Sequence, residues 1–266
     1  MPILRTLKNY LKAYLAKGVM RFMSQNNKIV YMVLNCNSAK IAPKVILPAT
    51  DYVVQQIKKH IEVKEYGRTA KGTYKDVPIS VVSTGMGAPA AAMVLEALKR
   101  SNVSHIVRLD YCGGLQEDIN VGDIVLCSEV ICGDGTSLHY LDTKENYPKV
   151  AANSTLTSLL NEELEKNKVE FHKGPVWGHD ALFREPLELL EKARDHGAIA
   201  IDMESSVVVA LGELFNIPTA SILIVTDKPS GKGLENEKIS ITPKIFQNLD
   251  RISDIVLDVL SSLNEK

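Results

Sequence analysis

Residues 105–114 read HIVRLDYCGG, and this stretch decides the class of the fold. His105–Leu109 is a short apolar run rich in Ile and Val, a pattern typical of a buried strand, and a glycine pair follows it. A helical pattern precedes it over Pro89–Ser101, and a strand pattern follows it over Ile124–Val130. This alternation predicts an α/β fold of three layers, in which helices cover both faces of a central, mostly parallel but mixed twisted sheet.

The same alternation continues over the rest of the chain. Further strands are predicted at Val45–Leu47, Ile79–Ser83 and Thr219–Thr226. Further helices are predicted at Tyr52–Ile61, Leu156–Asn167, Pro186–His196, Ser205–Phe215 and Pro243–Asn264. No repeat or low-complexity linker divides residues 29–266, so we predict one domain. Ligands of such sheets bind outside the carboxyl ends of the strands, where we look for the site.

Composition excludes several classes of protein. The chain has 266 residues and a formal net charge of −1, which argues against a protein that neutralises nucleic-acid phosphates. The four cysteines form no CxxC pair and no metal-ligand spacing with the histidines, so we predict free thiols and no metal. No apolar run approaches the ~18–20 residues of a membrane span. We expect a cytoplasmic protein.

Residues 1–28 differ from the rest of the chain because they hold six basic residues and no acid. Apolar residues recur there at spacings of three and four from Leu4 to Phe22, which predicts an amphipathic basic helix. This N-terminal extension could lie on a membrane, target an organelle, dock on a partner, or precede a second translation start at Met23. We set the domain boundary between residues 28 and 29.

Two segments after predicted strands offer contacts to an anion. STGMGAP at residues 83–89 passes through Gly85 and Gly87 into a helix, and such a loop lets a backbone approach a ligand. A tight turn without a ligand is the alternative. Arg108, at the end of its strand, can present a planar fork to a carboxylate or phosphate. The alternative for Arg108 is a structural ion pair with Asp110 or Asp123.

Two later segments carry carboxylates. Asp202-Met203-Glu204 suits a sugar, because carboxylates accept from vicinal hydroxyls while the thioether covers an apolar ring face. Alternatively, both carboxylates cap the helix that begins at Ser205. Asp227 ends an apolar strand and could be a general acid with a pKa raised by burial, or an Asp that starts a loop.

Five motifs occur in one order along the chain. They are GMGxP at 85–89, RxxxCGGL at 108–115 with INVGD at 119–123, GTSxHY at 135–140, DMES at 202–205 and VTD at 225–227. The set resembles the nucleoside phosphorylase family of uridine phosphorylase and the hexameric purine nucleoside phosphorylases, over about residues 30–262. The resemblance implies the phosphorylase/hydrolase-like fold and cleavage of a purine nucleoside or uridine by phosphate into free base and ribose 1-phosphate. Phosphate is then a co-substrate, and no cofactor is implied.

The resemblance also implies site residues: Asp227 and Arg108 for catalysis; Glu204, Met203, Phe183, Gly87, Tyr111 and Arg184 for the substrate; Arg108, Gly85 and Arg68 for phosphate. In this scheme Glu204 accepts the ribose hydroxyls and Asp227 protonates or hydrogen-bonds the purine N7. Phe183 stacks on the base, and Arg184 replaces the residues that grip uracil in uridine phosphorylases.

Several positions depart from the family pattern. The family loop GDPxR, which binds phosphate, reads PATDYV at residues 48–53. A second arginine that binds phosphate in the family corresponds to a position near Glu65 in this chain. Arg68 can substitute for it only if the loop shifts. Asp110-Tyr111 replaces a Gly-Thr pair, and a family histidine contributed by a neighbouring subunit has no counterpart. Two lost arginine contacts predict phosphate binding weaker by roughly two to four powers of ten.

These departures leave three functions open: a phosphorylase with unusual phosphate contacts, a hydrolytic nucleosidase, or an inactive nucleoside-binding homologue. The resemblance further implies a homo-oligomer, either a dimer or a hexamer.

Overall fold

The computed structural model describes residue 18, residues 20–232 and residues 241–263. The predicted basic helix over residues 4–22 lies almost wholly outside these residues. The first complete described helix, Gln25–Leu34, begins after an N-cap by Ser24 and buries Val30 and Leu34. The boundary predicted between residues 28 and 29 therefore falls inside this helix.

Each strand and helix predicted after residue 28 is present in the described chain, together with elements that the sequence does not predict. The strands are β1 (Lys44–Ile46), β2 (Val63–Tyr66), β3 (Thr69–Tyr74), β4 (Val77–Val82), β5 (His105–Gly114), β6 (Ile124–Cys132), β7 (Lys149–Ala151), β8 (His172–Gly178), β9 (Ala200–Asp202) and β10 (Thr219–Asp227). The α-helices are α1 (Gln25–Leu34), α2 (Asp51–Ile57), α3 (Ala88–Lys99), α4 (Gly135–Leu141), α5 (Ser154–Lys166), α6 (Leu187–Asp195), α7 (Ser205–Leu214) and α8 (Pro243–Ser262).

The ten strands of the described chain form one mixed sheet in the order β10-β6-β8-β9-β5-β1-β4-β3-β2, with β7 beside β6. Strand β10 also pairs in parallel with β5. The five strands β5, β10, β6, β8 and β9 therefore form a closed ring of paired strands. Parallel pairings join β1 to β4 and β5, β5 to β10, and β8 to β6 and β9. The sheet is thus mixed, but less parallel than the sequence predicts. Short turns make β2, β3 and β4 antiparallel neighbours, and β6 with β10, β5 with β9, and β6 with β7 are also antiparallel.

Helices cover both faces of the sheet and confirm the three-layer arrangement. Helices α2, α5 and α8 pack on the face that includes Val107 and Leu109 of β5. Helices α1, α3 and α7 pack on the opposite face, against Ile106. Because side chains alternate along a strand, Arg108 and Asp110 share the face of Ile106. Two charged residues of β5 therefore point into the layer between the sheet and α7.

The four cysteines are buried free thiols, as predicted. Among the helices that the structure describes, none is long and apolar enough to span a membrane.

Candidate active site

A cavity of about 260 Å³ opens beyond the carboxyl ends of β5, β9 and β10. Its walls come from these strand ends and from the loops after β1, β4 and β8. The lining residues are Ala49, Thr50, Met86, Arg108, Asp110, Tyr111, Cys112, Gly113, Leu182, Glu185, Ile201, Asp202, Met203, Glu204, Thr226 and Asp227. Arg108, Glu204 and Asp227 are far apart in the sequence, and the fold brings them to this one cavity, as ligand binding at strand ends predicts.

The guanidinium of Arg108 lies at the centre of a buried ion cluster. Its Nη2 donates to Glu204 Oε2 at 2.7 Å and to Asp202 Oδ2 at 3.0 Å. Its Nε donates to Asp202 Oδ2 at 3.2 Å, and Nη1 lies 3.5 Å from Asp110 Oδ2. Arg108 is only 1% exposed. The structural ion pair with Asp110 is therefore present, whereas Asp123 pairs with Lys244 and His172 instead.

Burial and charge act in opposite directions on this cluster. Burial disfavours the charge on Arg108, but the three carboxylates outweigh burial and raise its pKa. Burial raises the pKa of Glu204 to about 7 and also raises the pKa of Asp202, while the guanidinium opposes both shifts. Arg108 therefore stays charged, and Glu204 can gain or lose a proton near neutral pH.

Asp202 links the ion cluster to the start of α7. Its carboxylate accepts from the backbone N of Ser205 at 3.1 Å and from Ser205 Oγ at 2.6 Å. Asp202 therefore caps the helix, which is one of the two roles that the sequence allows for this segment. Glu204 has a different place, because its Oε1 accepts from the backbone N of Gly87 at 2.6 Å while Oε2 faces Arg108. Gly87 has a φ of 93°, which favours glycine at this contact.

Asp110 is held by the loop between β1 and α2. Its carboxylate accepts from the backbone N of Thr50 at 3.2 Å, from Thr50 Oγ1 at 3.1 Å and from the backbone N of Ala49. It also accepts from the backbone N of Tyr111 at 3.0 Å. The negative charge of Asp110 is thus surrounded by hydrogen-bond donors. The backbone N–H groups of Ala49 and Thr50 donate to this carboxylate.

Met203, Tyr111 and Asp227 line the cavity around the ion cluster. Burial, followed by the charge of Asp110, raises the pKa of the Tyr111 hydroxyl, which stays protonated at neutral pH. Asp227 Oδ1 accepts from Thr226 Oγ1 at 2.8 Å. A thioether, a phenol and a carboxylate therefore face the same space as Glu204.

Phe183 and Arg184 are not among the residues that line this cavity. Phe183 is 62% exposed, and Leu182 and Glu185 of the same loop face the cavity instead. The loop is held locally, since His179 Nε2 bonds to the carbonyl oxygen of Arg184 at 3.0 Å, which fits a structural histidine. The contacts of Phe183 and Arg184 with the base, which the resemblance implies, therefore stay predictions, since neither residue lines this cavity.

Arg68 and Gly85 lie in a second cavity of about 490 Å³, which shares Ala49 and Met86 with the first. Arg68 lies in the turn between β2 and β3, and its Nη2 would be 3.4 Å from a Cβ built on Gly85. Glu65, near which the resemblance implies a phosphate arginine, forms an ion pair with Lys58. The predicted phosphate residues are therefore divided between two adjoining cavities.

Sequence reasoning missed Leu182 and Glu185 as cavity residues. Asp110 was expected beside Arg108, and the strand confirms this because residues two positions apart share a face. Within residues 20–232 and 241–263, no group of three or more His, Cys, Asp or Glu side chains could hold a metal ion. Chemically, the cavity offers acceptors for hydroxyl groups, a thioether for an apolar ring face, and a separate carboxylate.

The chain is similar in sequence to known proteins. A family model described as "Phosphorylase superfamily" matches residues 43–261. A guanosine phosphorylase from Halorubrum lacusprofundi is 30% identical over 203 residues, which are 75% of this chain and 82% of that protein. A DeoD-type purine nucleoside phosphorylase from Brevibacillus brevis is 31% identical over 157 residues, or 59% of this chain and 66% of that protein.

Solved structures share the fold. Uridine phosphorylase from Vibrio fischeri superimposes with a TM-score of 0.75 at 23% identity, covering 86% of this chain and 95% of that one. Purine nucleoside phosphorylase from Toxoplasma gondii, solved with immucillin-H, gives a TM-score of 0.75 at 20% identity, over 85% and 93% of the two chains.

Proposed function

The chain belongs to the phosphorylase superfamily, and from this premise we propose that it is a nucleoside phosphorylase, a pentosyltransferase. It cleaves the N-glycosidic bond of a purine nucleoside or uridine with phosphate as the nucleophile, and releases free base and ribose 1-phosphate. One observation carries the proposal: Arg108, Met203, Glu204 and Asp227, which the family motifs select, converge on one cavity.

The sugar fits the side of the cavity formed by Met203 and Glu204. The ionised carboxylate of Glu204 accepts hydrogen bonds from ribose hydroxyls, and the thioether of Met203 covers the apolar face of the ring. As the bond to the base breaks, positive charge develops on the sugar. The carboxylates that outnumber Arg108 around this cavity stabilise that charge in a low-dielectric site.

The base leaves on the side of Asp227. A carboxylic acid can donate a proton or a hydrogen bond to the purine N7, which stabilises the departing base. Uracil has no such nitrogen, so Asp227 favours a purine. The relatives at 30% and 31% identity are named for guanosine and purine nucleosides, which agrees with this choice. We therefore propose a purine nucleoside as the preferred substrate.

A base-release assay tests the function. Guanosine, inosine, adenosine and uridine are each incubated with the protein, with and without phosphate, and the free base is separated and measured. We expect purine release that requires phosphate and forms ribose 1-phosphate in equal amount. Release that is indifferent to phosphate would identify a hydrolase, and absence of release from all four substrates would refute the proposed activity.

We further infer a homo-oligomer, a dimer or a hexamer. Tyr52 and Phe246 form an edge-to-face pair at 5.6 Å and remain 50% and 39% exposed, which suits an apolar contact with a second copy. Light scattering of the purified protein measures the assembly, and a monomer at micromolar concentration would contradict the inference.

A further inference from the structure

The loop between β6 and α4 carries a buried carboxylate outside both cavities. Asp134 is 0% exposed and lines neither cavity. It directly precedes the GTSxHY motif at residues 135–140, to which the proposed function gives no task. No residue in the part of the chain that the structure describes forms an ion pair with Asp134. A carboxylate buried without a cation depends on hydrogen bonds to offset its loss of water, so its donors decide what this loop holds together.

The two oxygens of Asp134 accept from the starts of two different helices. Oδ1 accepts from the backbone N of Ser137 at 2.7 Å and so caps α4. Oδ2 accepts from Oγ of Ser206, the second residue of α7, at 2.5 Å. Gly178 at the end of β8 leaves room for this contact, since a Cβ there would lie 2.0 Å from Ser206 Oγ. Asp134 therefore ties the start of α7 to the loop after β6.

The loop that carries Asp134 is itself fixed to the sheet. The backbone N of Gly133 donates to the carbonyl oxygen of Ile131 in β6 at 3.0 Å. The backbone N of Gly135 donates to Oδ2 of Asp180, two residues after β8, at 2.8 Å. An acceptor held from β6 and from the end of β8 can fix the helix that donates to it.

Two consecutive serines hold the first turn of α7 from different directions. Ser205 Oγ donates to Asp202 at 2.6 Å and lies 2.9 Å from Oγ of Ser221 in β10. The hydroxyl of Ser206 points about 100° further round the helix, to the loop carboxylate. Glu204 immediately precedes both serines as the N-cap residue of α7. With Ser205 alone, the first turn could rotate about a single attachment and carry Glu204 with it.

Such a rotation would act on both oxygens of Glu204. Oε1 accepts from the backbone N of Gly87 at 2.6 Å, and Oε2 accepts from Arg108 Nη2 at 2.7 Å. The proposed function gives this carboxylate the ribose hydroxyls. A catalytic or binding group displaced by ~1 Å can lose on the order of 10²-fold in rate, so the placement of Glu204 matters even though Ser206 lies outside the cavity.

We propose that Asp134 is a positioning residue of the sugar site: through Ser206 it fixes the start of α7, and it thereby places the Glu204 carboxylate between Gly87 and Arg108. The effect on the sugar rests on the proposed function, whereas the placement of the carboxylate does not. The contact also gives the loop that opens the GTSxHY motif a task in the site, although no residue of that motif lines the first cavity.

Amide exchange at Gly87 reports the placement of Glu204 without any substrate. The N–H of Gly87 donates to Glu204, so it exchanges with deuterated water slowly only while the carboxylate stays in place. ¹⁵N-glycine combined with methionine that carries a ¹³C carbonyl isolates its NMR signal, because Met86-Gly87 is the only Met–Gly pair in the sequence. Ser206→Ala should speed this exchange about tenfold, the effect expected when a charge-assisted hydrogen bond is lost.

A second variant and a matched control make the measurement specific. Asp134→Ala removes the acceptor and should also speed exchange at Gly87, and adding Ser206→Ala to it should change little more, because both remove one contact. The control is Thr219→Val, which removes a buried hydroxyl beside Gly212 at the other end of α7, where Oγ1 donates to the carbonyl oxygen of Ile217 at 2.8 Å. It should change exchange at Gly87 less than threefold.

The outcomes separate this proposal from the proposed function. If exchange at Gly87 is unchanged in Ser206→Ala, or rises as much in Thr219→Val, Asp134 only stabilises the fold and the proposal is overturned, even when nucleoside is cleaved. If exchange rises selectively, the placement of Glu204 is supported, even when no nucleoside is cleaved and the proposed function fails.

Base release adds a second readout. In a protein that cleaves nucleoside, kcat/KM of Ser206→Ala should fall tenfold or more, by roughly ~10–10²-fold, while Thr219→Val keeps most of its activity. Equal kcat/KM values in the two variants would mean that the sugar site does not depend on Asp134, and would overturn the proposal as well.

Discussion

Replacing Arg108 by Gln tests the physical account of the site. The guanidinium is 1% exposed and lies 2.7 Å from Glu204, 3.0 Å from Asp202 and 3.5 Å from Asp110. Removing one partner of a buried ion pair costs about 3–5 kcal/mol, because the other charge stays in a low-dielectric interior. We expect Arg108→Gln to lose this amount of unfolding free energy at pH 8. With a urea m-value of ~2–3 kcal/mol/M, the midpoint should fall by about 1–2.5 M.

The loss of unfolding free energy in Arg108→Gln should increase as the pH rises. Burial raises the pKa of Glu204 from 4.5 to about 7 and also raises the pKa of Asp202, and the charge of Arg108 opposes both shifts. Without the guanidinium these pKa values rise further, so the folded variant holds protons that the unfolded chain has released. Its stability therefore falls as the pH rises from 4.5 and continues to fall above 7, where the unmodified protein has already released these protons. The loss relative to the unmodified protein should be smaller at pH 5.5 than at pH 8.

Urea unfolding at both pH values, followed by circular dichroism, measures the effect. Arg100→Gln is the matched control, because Arg100 pairs with Glu96 on α3 with both side chains partly exposed. Such a pair contributes at most about 1 kcal/mol. If Arg108→Gln lowers the unfolding free energy at pH 8 no more than Arg100→Gln does, the guanidinium of Arg108 does not stabilise the buried carboxylates. The same conclusion follows if Arg108→Gln loses equal unfolding free energy at both pH values.

Three further predictions follow from the same geometry. Because ionised Glu204 accepts the sugar hydroxyls, nucleoside affinity measured by calorimetry without phosphate should rise as the pH passes about 7. Glu204→Gln should bind nucleoside more weakly, and its affinity should not depend on pH in this range. A pH-independent affinity in the unmodified protein would contradict this role of Glu204. Asp227→Asn should lower kcat/KM for a purine nucleoside by ~10²–10⁴ and for uridine far less, whereas equal losses would remove its role at the base. Gly178→Ala places a Cβ 2.0 Å from Ser206 Oγ, so thermal unfolding should show a loss of about 1–3 kcal/mol, and an unchanged Tm would mean that α7 moves freely.

Periodicity and motifs predicted much of this protein. Apolar runs located β5, β6 and β10, and helical spacing located every α-helix that the structure describes except α1 and α4. The family predicted from five ordered motifs is confirmed by the family match over residues 43–261. Strands β2, β3, β7, β8 and β9 were not predicted. Polar residues or glycine interrupt the apolar pattern of β2, β3 and β8, and β7 and β9 have only three residues each. The pairing of β8 and β9 depends on neighbours that are distant in sequence.

The candidate site was predictable in its chemistry but not in its pairings. Residue types selected Met203, Glu204 and Asp227, and the fold brings them to one cavity. The resemblance assigned Phe183 and Arg184 to the base, whereas Leu182 and Glu185 of the same loop line the cavity. A loop of this kind has no fixed side-chain period, so spacing cannot determine which residue faces the cavity.

The sequence by itself determined the alternation of strands and helices, the family, and the kinds of side chain available at the strand ends, because these depend on local periodicity and on residue chemistry. The tertiary structure alone decided how the charges are distributed. It brings Asp110, Asp202 and Glu204 against Arg108 and leaves Arg68 over the open glycine loop. The interaction of a charge depends on distance and burial, and residues nearly a hundred positions apart acquire both only when the chain folds.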